Sequence, residues 1–510
     1  MKEKTTRAHT HNQVSTRGCS ERQESSHKHS QGLTIKKEEN FSEWYTELVQ
    51  KAELADLRYN IKGFVIFQPW AVLSMEKMFQ YMEKTLQRKE HSPYWFPSLI
   101  PEENLRKESS HIKGFIPEVF WITSHGNNEK IEEKLALRPT SETAFYQMFA
   151  LWIRSYKDLP FKTYQRANVF RYETKATRPF LRSREFHWIE THCAHASQEM
   201  AMKQVKEDME TTKEILHDIY GLPFIFFERP YWDKFPGAYK TFAADVLNPD
   251  GKVVQQPSTH ILKQEFPKAF NVKFKDKDGK EKFVWTTCYG PAISRIFASI
   301  ISVHGDDKGL KFPWEIAPLQ VVIIPIDSDE KIKKTAEKLK EQIEKLASVK
   351  IDYSDKRPGE KFNYWEMKGV PIRIDLGLKD LKNKKITLFR RDLNQKIIVS
   401  ENKIIDEIKK IAKETTQNII KHADNLFKKR ISDAKNISEI KKIVNNGGIA
   451  RIEFCSVEKD GEKCAEVIEK NAGARVRGTR FNENLKNHAF GKCAVCGKKA
   501  NNIVYIAKAY

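Results

Sequence analysis

The sequence predicts an α/β protein in which helices and strands are mixed throughout several domains. Its 510 residues are enough for roughly two to four domains, each with its own core. Residues 170–192 read as a hairpin, because alternating positions on each arm share a face. Beyond Leu319, strands such as VVIIPI alternate with helical segments such as KIKKTAEKLKEQIEKL, which is typical of an α/β layer with parallel or mixed pairing.

Charge and composition narrow the classes of function. Lys and Arg outnumber Asp and Glu by 89 to 68, which gives a net charge of +21 and a pI near 9.4. This excess favours a polyanionic partner, with nucleic acid ahead of an anionic membrane. No apolar run approaches the roughly 20 residues that span a bilayer, and the N-terminus lacks a signal-peptide core. Seven cysteines in this length do not indicate a disulfide scaffold, so we expect a reducing cytoplasm.

The elements before the hairpin can be read in order. The first 37 residues are polar and contain almost no large apolar side chains, which predicts a disordered tail. FSEWYTELVQKAEL has helical spacing, and GFVIFQPWAVLSMEKMFQYMEKTLQ reads as a strand, a turn at Pro69 and a long helix. RPTSET, with Thr140 and Glu142, precedes an apolar helix, and such a cluster is by itself usually a helix cap.

The hairpin carries an unusual set of polar and aromatic groups. Arg171 and Glu173 share a face of the first arm, and Pro179 rules out a regular helix between the arms. The second arm places four residues on one face: Phe186, Trp188, Glu190 and His192. So many charged groups are costly to bury unless a ligand satisfies them. From periodicity alone, a hairpin with a solvated polar face is an equally acceptable interpretation.

The remaining elements complete the predicted organisation. Residues 197–220 read as an amphipathic helix closed by Gly221, and FVWTTCYGPAISRIFASIISVHGDDKGL reads as a strand followed by a helix. No GxxxxGK[ST] motif occurs, so a P-loop is excluded as the means of binding a nucleotide. A Lys-rich segment with four cysteines begins near residue 421. The predicted divisions are 1–37, 38–317, 318–420 and 421–510.

Four cysteines could hold a metal ion, namely Cys455, Cys464, Cys493 and Cys496. The CxxC pair in GKCAVCGKK is a strong half-site, because its turn presents two thiolates to one ion. The first pair has an irregular spacing, so free thiols in a reducing compartment remain the alternative. Cys19, Cys193 and Cys288 lack such a pattern, and the sequence places no His to activate Cys288 as a nucleophile.

The string FRYETKATRPFLRSREFHWIETH resembles motif 2 of class II aminoacyl-tRNA synthetases. The resemblance is densest with the archaeal and eukaryotic-like type of prolyl-tRNA synthetase, in which an fRxE arm is followed by PFLRxREF-x-W-x-E-x-H. YWFPSLIPEENLRKESSHIKGFIPEVFWIT is similar to another segment of that family. The strand and helix around Pro69 resemble motif 1, and the segment containing Arg295 resembles motif 3. The resemblance covers residues 40–510.

The resemblance implies a fold and an activity. The fold would be an α+β catalytic domain on an antiparallel sheet (38–317), an α/β anticodon-binding domain (318–420) and a small α+β zinc-bearing domain (421–510), in a homodimer. The activity would be ATP-dependent attachment of L-proline to tRNA(Pro) through a prolyl-adenylate. ATP with Mg²⁺ would be required, and the four cysteines would hold a structural Zn²⁺.

The same resemblance assigns residues to roles. Arg171, Glu173 and Arg295 would be catalytic. ATP would be bound by Arg171, Glu173, Arg182, Ser183, Gln255, Ser258, Ser294 and Arg295, with Gln255 also a Mg²⁺ ligand. Proline would be bound by Thr140, Glu142, Arg171, Phe186, Trp188, Glu190, His192 and His260. A basic set near Tyr364 and Trp365 would contact the anticodon loop through Lys356, Arg357, Lys361, Arg390 and Arg391. The terminal Tyr510 would reach back towards the active site.

Two departures from the family pattern bear on the ATP contacts. QQPSTHILKQ stands where many relatives have a GGTSHHLGQ-like stretch, so Gln255, Ser258 and His260 align but the glycines do not. YGPAISR replaces the common WGxxTR, which affects the surroundings of Ser294. Both departures leave the class unchanged.

Two other functions are alternatives to the attachment of proline to tRNA. A synthetase for another amino acid such as threonine is disfavoured, because the Cys/His/His zinc pattern of a threonyl site is absent from the catalytic region. A non-catalytic tRNA-binding paralogue would be expected to have lost Arg171, Glu173 or Arg295, and all three are present.

Overall fold

A computed structural model of the chain describes residues 32–107, 118–174, 177–262 and 264–510. The predicted disordered tail lies outside the described residues as far as residue 31. The stretch 108–117 of the family-like segment that starts at Tyr94 also lies outside them. Within the described residues, no helix is long and apolar enough to cross a lipid bilayer.

Residues 32–37 are part of the folded body, which corrects the predicted end of the tail. Leu33 and Ile35 pack against the main hydrophobic core. The backbone N–H of Thr34 donates to the Glu47 carboxylate at 3.0 Å. Two apolar side chains in a polar stretch are therefore enough to anchor this short segment, although its composition resembles that of the residues before it.

The helices predicted from apolar spacing are present, and their first residues match the cap and proline signals. Asn40 caps the first helix by accepting from the backbone N–H of Glu43, and Pro69 begins the second. The helices are α1 Phe41–Lys51, α2 Pro69–Arg88, α3 Glu102–Arg106, α4 Glu142–Trp152, α5 Gln198–Thr212 with a π-helical continuation Lys213–Ile219, α6 Glu265–Ala269, α7 Ile293–His304, α8 Glu330–Ile343, α9 Pro358–Met367, α10 Leu378–Lys382, α11 Ile404–Lys429, α12 Ile437–Asn445 and α13 Glu462–Ala472.

The strands are distributed among these helices along the described residues. They are β1 Ala55–Asp56, β2 Ile66–Phe67, β3 Ser92–Pro93, β4 Leu99–Pro101, β5 Trp121–His125, β6 Glu129–Leu137, β7 Phe161–Phe170, β8 Glu185–His195, β9 Ile225–Glu228, β10 Ala238–Leu247, β11 Lys252–Leu262, β12 Lys273–Lys275, β13 Glu281–Phe283, β14 Trp285–Tyr289, β15 Val321–Pro325, β16 Val349–Ile351, β17 Ile372–Leu376, β18 Lys385–Arg390, β19 Gln395–Ser400, β20 Ile431–Asp433, β21 Ile449–Phe454, β22 Arg475–Arg480 and β23 Asn502–Ala509.

One 11-stranded sheet dominates the structure, in the order β20-β21-β23-β22-β9-β10-β11-β14-β8-β7-β3. Its centre is antiparallel from β10 to β7. Helices α1, α2 and α7 contribute Trp44, Met78 and Phe297 to the core on one face, which also contains Ile189 of β8. Neighbouring residues of a strand point to opposite faces, so the side chain of Glu190 lies on the other surface.

The predicted hairpin is formed by β7 and β8, but its first arm ends earlier than expected. The two strands pair antiparallel over their length, and β7 ends at Phe170. Arg171 and Glu173 therefore follow the strand instead of sharing one of its faces. The reason is a change of hydrogen-bond partner: the N–H of Tyr172 donates to the carbonyl of Glu118 at 2.7 Å, which draws the chain away from β8.

The α/β layer predicted beyond Leu319 is a second sheet in the order β16-β15-β17-β18-β19. Strand β15 pairs in parallel with β16 and β17, whereas β18 is antiparallel to both of its neighbours. Ile323, Ile374 and Leu388 lie in its core, together with apolar residues of α8 and α11. The pairing is therefore mixed, within the range that the alternating pattern predicts.

The C-terminal region continues the main sheet. Strand β22 pairs with β9 at Thr479 and Glu228, and β23 pairs in parallel with the beginning of β11. The predicted boundary between residues 420 and 421 falls inside α11, where Ile419 and Ala423 are buried on one continuous face. The change to a Lys-rich composition near this point alters the exposed face of one helix and does not mark a linker.

Two glycine turns form a close backbone contact between the catalytic and C-terminal regions. Gly251, between β10 and β11, has a φ of +78°, and Gly447, before β21, has a φ of +74°. A Cβ on Gly251 would lie 2.2 Å from the Cα of Gly447. Arg430 Nη1 donates to the carbonyl of Pro249 at 3.0 Å and to that of Gly447 at 3.3 Å. Any side chain at Gly251 therefore has to separate the two turns.

We expect Gly251→Ala to lower thermal stability more than Gly279→Ala. Gly279 has nearly the same φ, +79°, but nothing lies within 4 Å of its added Cβ. Both variants carry the left-handed penalty of roughly 1–2 kcal/mol, and Gly251→Ala adds an overpacking cost of about 1–3 kcal/mol. Differential scanning calorimetry of the two variants checks this, and equal shifts in melting temperature would contradict the close contact.

Candidate active site

A cavity of about 350 Å³ lies over strands β8, β11 and β14. It is lined by every residue predicted to contact proline, which are Thr140, Glu142, Arg171, Phe186, Trp188, Glu190, His192 and His260. Gln255, Ser258 and Arg295 of the predicted ATP set line the same cavity. A second cavity of about 220 Å³ shares Gln255 and Arg295 with the first and extends the site to Arg182.

Two buried carboxylates mark one end of the cavity. Glu142, at the start of α4, accepts a short hydrogen bond from the Thr140 hydroxyl. Glu190 accepts from Gln165 Nε2 at 2.5 Å, and its other oxygen lies 3.5 Å from His192 Nε2. Burial alone would raise the pKa of Glu190, but the adjacent His192 and the hydrogen bond from Gln165 hold it below its usual value. The site therefore offers negative charge to a small cation.

Aromatic rings and a neutral histidine form the walls of this end. Phe186 and Trp188 meet edge to face with ring centroids 5.7 Å apart. His260 lies between the hydroxyls of Thr241, 3.0 Å from Nδ1, and Ser258, 2.9 Å from Nε2. Burial lowers the pKa of His260 to about 3, so the ring is neutral near pH 7. An apolar ring bearing a cationic nitrogen fits this combination of groups.

Three guanidinium groups line the rest of the site, and Arg171 is close enough to Glu142 and Glu190 that their charges oppose the lowering of its pKa by burial. Arg171 donates through Nε to the carbonyl of Pro139 at 3.1 Å, and its guanidinium lies 5.3 Å from the Phe186 ring. Arg295 lies 5.7 Å from the same ring. Burial and the nearby Arg171 and Arg182 lower the pKa of Arg295 to about 10. Partly buried cations that repel one another form a site for a polyanion.

Three residues of the predicted ATP set do not line either cavity. Glu173 forms an ion pair with Arg182, at 3.5 Å. The Ser183 hydroxyl donates to the carbonyl of Glu185 at 2.6 Å, and Ser294 is buried with its hydroxyl 3.5 Å from a backbone carbonyl. Their positions suit a supporting role around the arginines. The doubt that the motif 3 departure raised about Ser294 agrees with this burial.

Gln255 is placed at the junction of the two cavities, but its oxygen is already engaged. Arg229 Nη2 donates to Gln255 Oε1 at 3.0 Å. A Mg²⁺ ion at this oxygen would lie beside a guanidinium, which is unfavourable for two cations. The predicted Mg²⁺ contact of Gln255 therefore does not fit this arrangement, whereas its amide NH₂ remains able to donate to a phosphate.

Cys288 lines the cavity, yet it lacks the properties of a nucleophile. Burial raises the pKa of its thiol well above the usual value, and the neighbouring Glu142 and Glu190 raise it further. A thiol that stays protonated is a weak nucleophile. Cys288 thus forms part of the cavity wall, as its sequence context predicts.

Sequence reasoning missed several residues that shape the site. Asp233 and Phe235, on the segment between β9 and β10, line the main cavity. Phe235 lies 4.7 Å from the His260 ring. Arg477, far along the chain, lines the second cavity. The aromatic and proline-rich string RPYWDKFPG was an available signal for the first two, whereas no local pattern marks Arg477.

Tyr510 lies near the hairpin loop, as the resemblance implies. Its hydroxyl donates to Asp250 at 2.5 Å, and Arg178 Nη1 lies 3.4 Å from that hydroxyl. The guanidinium of Arg178 is also within 6.0 Å of the rings of Phe41, Tyr45 and Tyr510. The C-terminal residue therefore helps to hold the loop that carries Arg182.

Three of the five residues predicted to contact an anticodon loop are buried in contacts within the chain. Arg391 donates to both oxygens of Asp306, at 2.6 and 2.9 Å. Arg390 forms an ion pair with Asp392 at 2.8 Å. Lys361 is buried and donates to a backbone carbonyl at 3.0 Å. Their burial argues against contact with RNA, because a basic run in sequence does not reveal internal acidic partners.

The other two basic residues of that set remain accessible. Lys356 and Arg357 are exposed at the start of α9. Lys356 lies 5.1 Å from the ring of Tyr364, which is half-buried, whereas Trp365 is buried. An exposed basic pair beside an aromatic ring keeps the chemistry expected for a single-stranded RNA loop.

The four predicted metal ligands are gathered in the C-terminal region. The Sγ atoms of the set Cys455, Cys464, Cys493 and Cys496 all lie within 4.8 Å of one another. Cys455 and Cys464 stand at the end of β21 and in α13, and the CxxC turn brings the other pair to them. Four convergent thiols fit a tetrahedral Zn²⁺ ion.

Comparison with known proteins identifies the class that this fold and site define. Residues 120–304 match the model of the tRNA synthetase class II core domain (G, H, P, S and T). Residues 320–411 match an anticodon binding domain, and residues 437–510 match the C-terminal domain of prolyl-tRNA synthetase. The protein is a class II tRNA synthetase, in which arginines next to an antiparallel sheet take the place of a P-loop.

Relatives narrow the class to one family. The chain is 46% identical over 489 residues to a proline--tRNA ligase of Thermofilum pendens, covering 94% of this chain and 99% of the relative. It is 40% identical to that of Thermococcus kodakarensis, covering 92% and 98%. Giardia lamblia prolyl-tRNA synthetase in complex with prolyl-adenylate superposes with a TM-score of 0.90 at 35% identity, covering 94% of this chain and 100% of that structure. The chain belongs to the proline--tRNA ligase family.

Proposed function

We propose that the chain attaches L-proline to tRNA(Pro) in two steps. The proline carboxylate attacks the α-phosphorus of ATP and pyrophosphate leaves, after which the prolyl-adenylate transfers its acyl group to the terminal ribose of tRNA. The observation that carries this is one cavity with two buried carboxylates at one end and repelling arginines at the other. Neither step needs a protein nucleophile, because positioning and charge stabilisation are sufficient. The matched relatives are ligases, which disfavours the non-catalytic alternative.

The part of the cavity with the two carboxylates would bind proline through its charge and its shape. Glu142 and Glu190 would receive the secondary ammonium of proline, with Thr140 and His192 orienting the two carboxylates. Phe186 and Trp188 would enclose the apolar ring, and neutral His260 would contact its edge. A carboxylate pair in a buried site favours a cationic nitrogen over a neutral side chain. With the ring enclosed in this way, the carboxylate of proline would point towards the arginines.

The arginine end would bind and polarise the triphosphate. Arg171 would hold the α-phosphate, and Arg182 and Arg295 the outer phosphates, where charge accumulates as pyrophosphate leaves. Glu173 would orient Arg182 through their ion pair. Mg²⁺ bound to the phosphates of ATP would neutralise part of that charge. The repulsion among the arginines is relieved when the anion enters, which favours binding of the most highly charged form of the nucleotide.

Replacing Arg171 tests the reaction and the site together. We expect wild-type protein to catalyse proline-dependent exchange of pyrophosphate into ATP, and Arg171→Ala to lose about 10²–10³-fold in rate. Arg166→Ala is the matched control, because Arg166 lies on the same hairpin but pairs with Glu76 of α2 at 2.9 Å. Exchange driven by a different amino acid would overturn the pocket assignment, and exchange unaffected in Arg171→Ala would overturn the site.

The region 318–420 would bind the anticodon of tRNA(Pro), through Lys356 and Arg357 rather than the three buried basic residues. The matched anticodon binding domain and the net charge of +21 support this role. We also propose a cytoplasmic location, because the four clustered thiols must stay reduced to bind a metal ion.

We propose that the four clustered cysteines bind one structural Zn²⁺. The purified wild-type chain should contain about one zinc ion, because four thiolates complete its tetrahedral shell. Cys464→Ser should reduce the bound zinc to a small fraction, whereas Cys193→Ser, a buried cysteine outside the cluster, should leave it unchanged. Elemental analysis of the purified proteins measures this, and a wild-type chain without zinc would contradict the site.

A homodimer is proposed because apolar side chains are exposed around α2. Trp95 is 92% exposed, and Leu73 and Ile66 are about half exposed. A second copy covering these residues would remove that area from water. Sedimentation equilibrium of the wild type should then give about twice 59.5 kDa, and Leu73→Glu should shift it towards the monomer. Ile398→Glu, at an exposed apolar residue of β19, is the control and should remain dimeric. A monomeric wild type would contradict the proposal.

A further inference from the structure

A buried charge network joins the C-terminal region to the catalytic sheet. Arg229, Asp245 and Arg477 are 3%, 0% and 6% exposed. Arg229 donates to both oxygens of Asp245, at 2.6 and 3.1 Å. Arg477, on β22, donates to the same two oxygens at 2.6 and 3.2 Å. Two guanidinium groups from distant parts of the chain therefore share one carboxylate.

The geometry of the sheet fixes this network in place. Arg229 Nη1 also donates to the backbone carbonyl of Arg477 at 2.8 Å. Gly478, the next residue, approaches β9 so closely that a Cβ there would lie 2.0 Å from the carbonyl oxygen of Glu228. The two strands are thus in direct contact, and Arg477 cannot move away without breaking their pairing. The strand pairing therefore holds the Arg477 guanidinium in one position, next to Asp245.

The network ends at a residue that lines both cavities. Arg229 Nη2 donates to Gln255 Oε1 at 3.0 Å, and Arg229 Nε lies 3.7 Å from Asp233 Oδ2. A guanidinium can only donate hydrogen bonds, so the oxygen of the Gln255 amide has to face it. The NH₂ group of Gln255 is consequently the part that remains available to the cavities. Arg229 thereby sets which end of this amide a ligand meets.

The charge balance explains why Arg477 matters to this orientation. Burial lowers the pKa of Arg229, and Asp245 opposes that effect. Burial also works against the ionised form of Asp245, but Arg229 and Arg477 hold its pKa below the usual value. Without Arg477, Asp245 would lose two of the four hydrogen bonds that fix its carboxylate, so the position of Arg229, which bonds both of its oxygens, would be less constrained. Sharing the carboxylate leaves Arg229 Nη2 placed between Asp245 and Gln255.

We propose that Arg229 and Arg477 are positioning residues for ATP, which together orient the Gln255 amide so that its NH₂ group donates to a phosphate oxygen. The C-terminal region would thus contribute to nucleotide binding through the orientation of Gln255, in addition to the place of Arg477 in the wall of the second cavity. The inference rests on the proposed function, since it concerns the phosphate end of the same site. The side chains proposed to bind proline are not members of this network.

The test compares the affinities for the two small substrates. Arg477→Met keeps most of the side-chain volume and removes the charge, and it should raise the KM for ATP about tenfold. The KM for proline should change by less than about twofold, because no member of the network contacts the carboxylate end. Arg477→Lys restores the charge and one donor, so it should recover part of the ATP affinity.

Arg451→Met is the matched control for losing an ion-paired arginine from the C-terminal region. Arg451 bonds Asp433 and Glu483, each at 3.0 Å, and lies on β21, which β23 separates from β22. It should change neither KM. Calorimetric titration with ATP alone adds a readout that does not require turnover, and the dissociation constant should rise with the KM.

A double-mutant cycle with Gln255 separates orientation from general stability. If Arg477 acts through the Gln255 amide, then Arg477→Met should add almost no further loss of ATP affinity in a Gln255→Ala background. A full additional loss in that background, or equal increases in both KM values, would overturn the proposal. An unchanged ATP dissociation constant in a folded Arg477→Met variant would overturn it as well. Absence of proline-dependent exchange in the wild type would instead overturn the proposed function, while the ATP titrations would still test this inference.

Discussion

Repulsion among three partly buried guanidinium groups is the physical constraint around which the catalytic site is arranged. Arg171 follows β7, Arg182 lies in the loop before β8 and Arg295 begins α7, so each is held by a different segment. The lowered pKa of Arg295 records the cost of this arrangement. A flexible scaffold would let the groups separate. An antiparallel sheet with a core on its other face prevents this, because its strand spacing is fixed by hydrogen bonds.

The same rigidity extends beyond the catalytic region, because the sheet does not end there. β22 and β23 add their edges to β9 and β11, and the glycine turns at Gly251 and Gly447 close the junction. The C-terminal region therefore works as a continuation of the scaffold. Its cysteine cluster lies at the far end of β21, so a metal ion there would stabilise strands that lead directly to the nucleotide cavity.

Much of the site could be predicted from the sequence, because it lies in short motifs whose residues alternate along strands. The period of the hairpin places Glu190 and His192 on one face, whereas their assignment to a substrate site depends on the resemblance to motif 2. Arg477 could not be found in this way, since its partner Asp245 is 232 residues distant and no local pattern links them. The prediction for Arg391 fails in the opposite way. Its basic run suggests an RNA-binding surface, but the Arg391 guanidinium is paired with Asp306, which lies in another domain. A local sequence pattern shows the type of a residue, whereas contacts between distant parts of the chain determine which groups surround it.

The pairing of β9 with β22 also has a consequence for synthesis on the ribosome. Strand β9 acquires its outer neighbour only after Thr479 has been translated, and Tyr510 reaches Asp250 across a sequence separation of 260. A growing chain with a complete catalytic core would still present an unpaired strand edge, which is a site for association with other chains. Strands β22 and β23 cover this edge only after they have been translated. While the α/β layer is being translated, the exposed edge would favour aggregation, and chaperones would need to bind it.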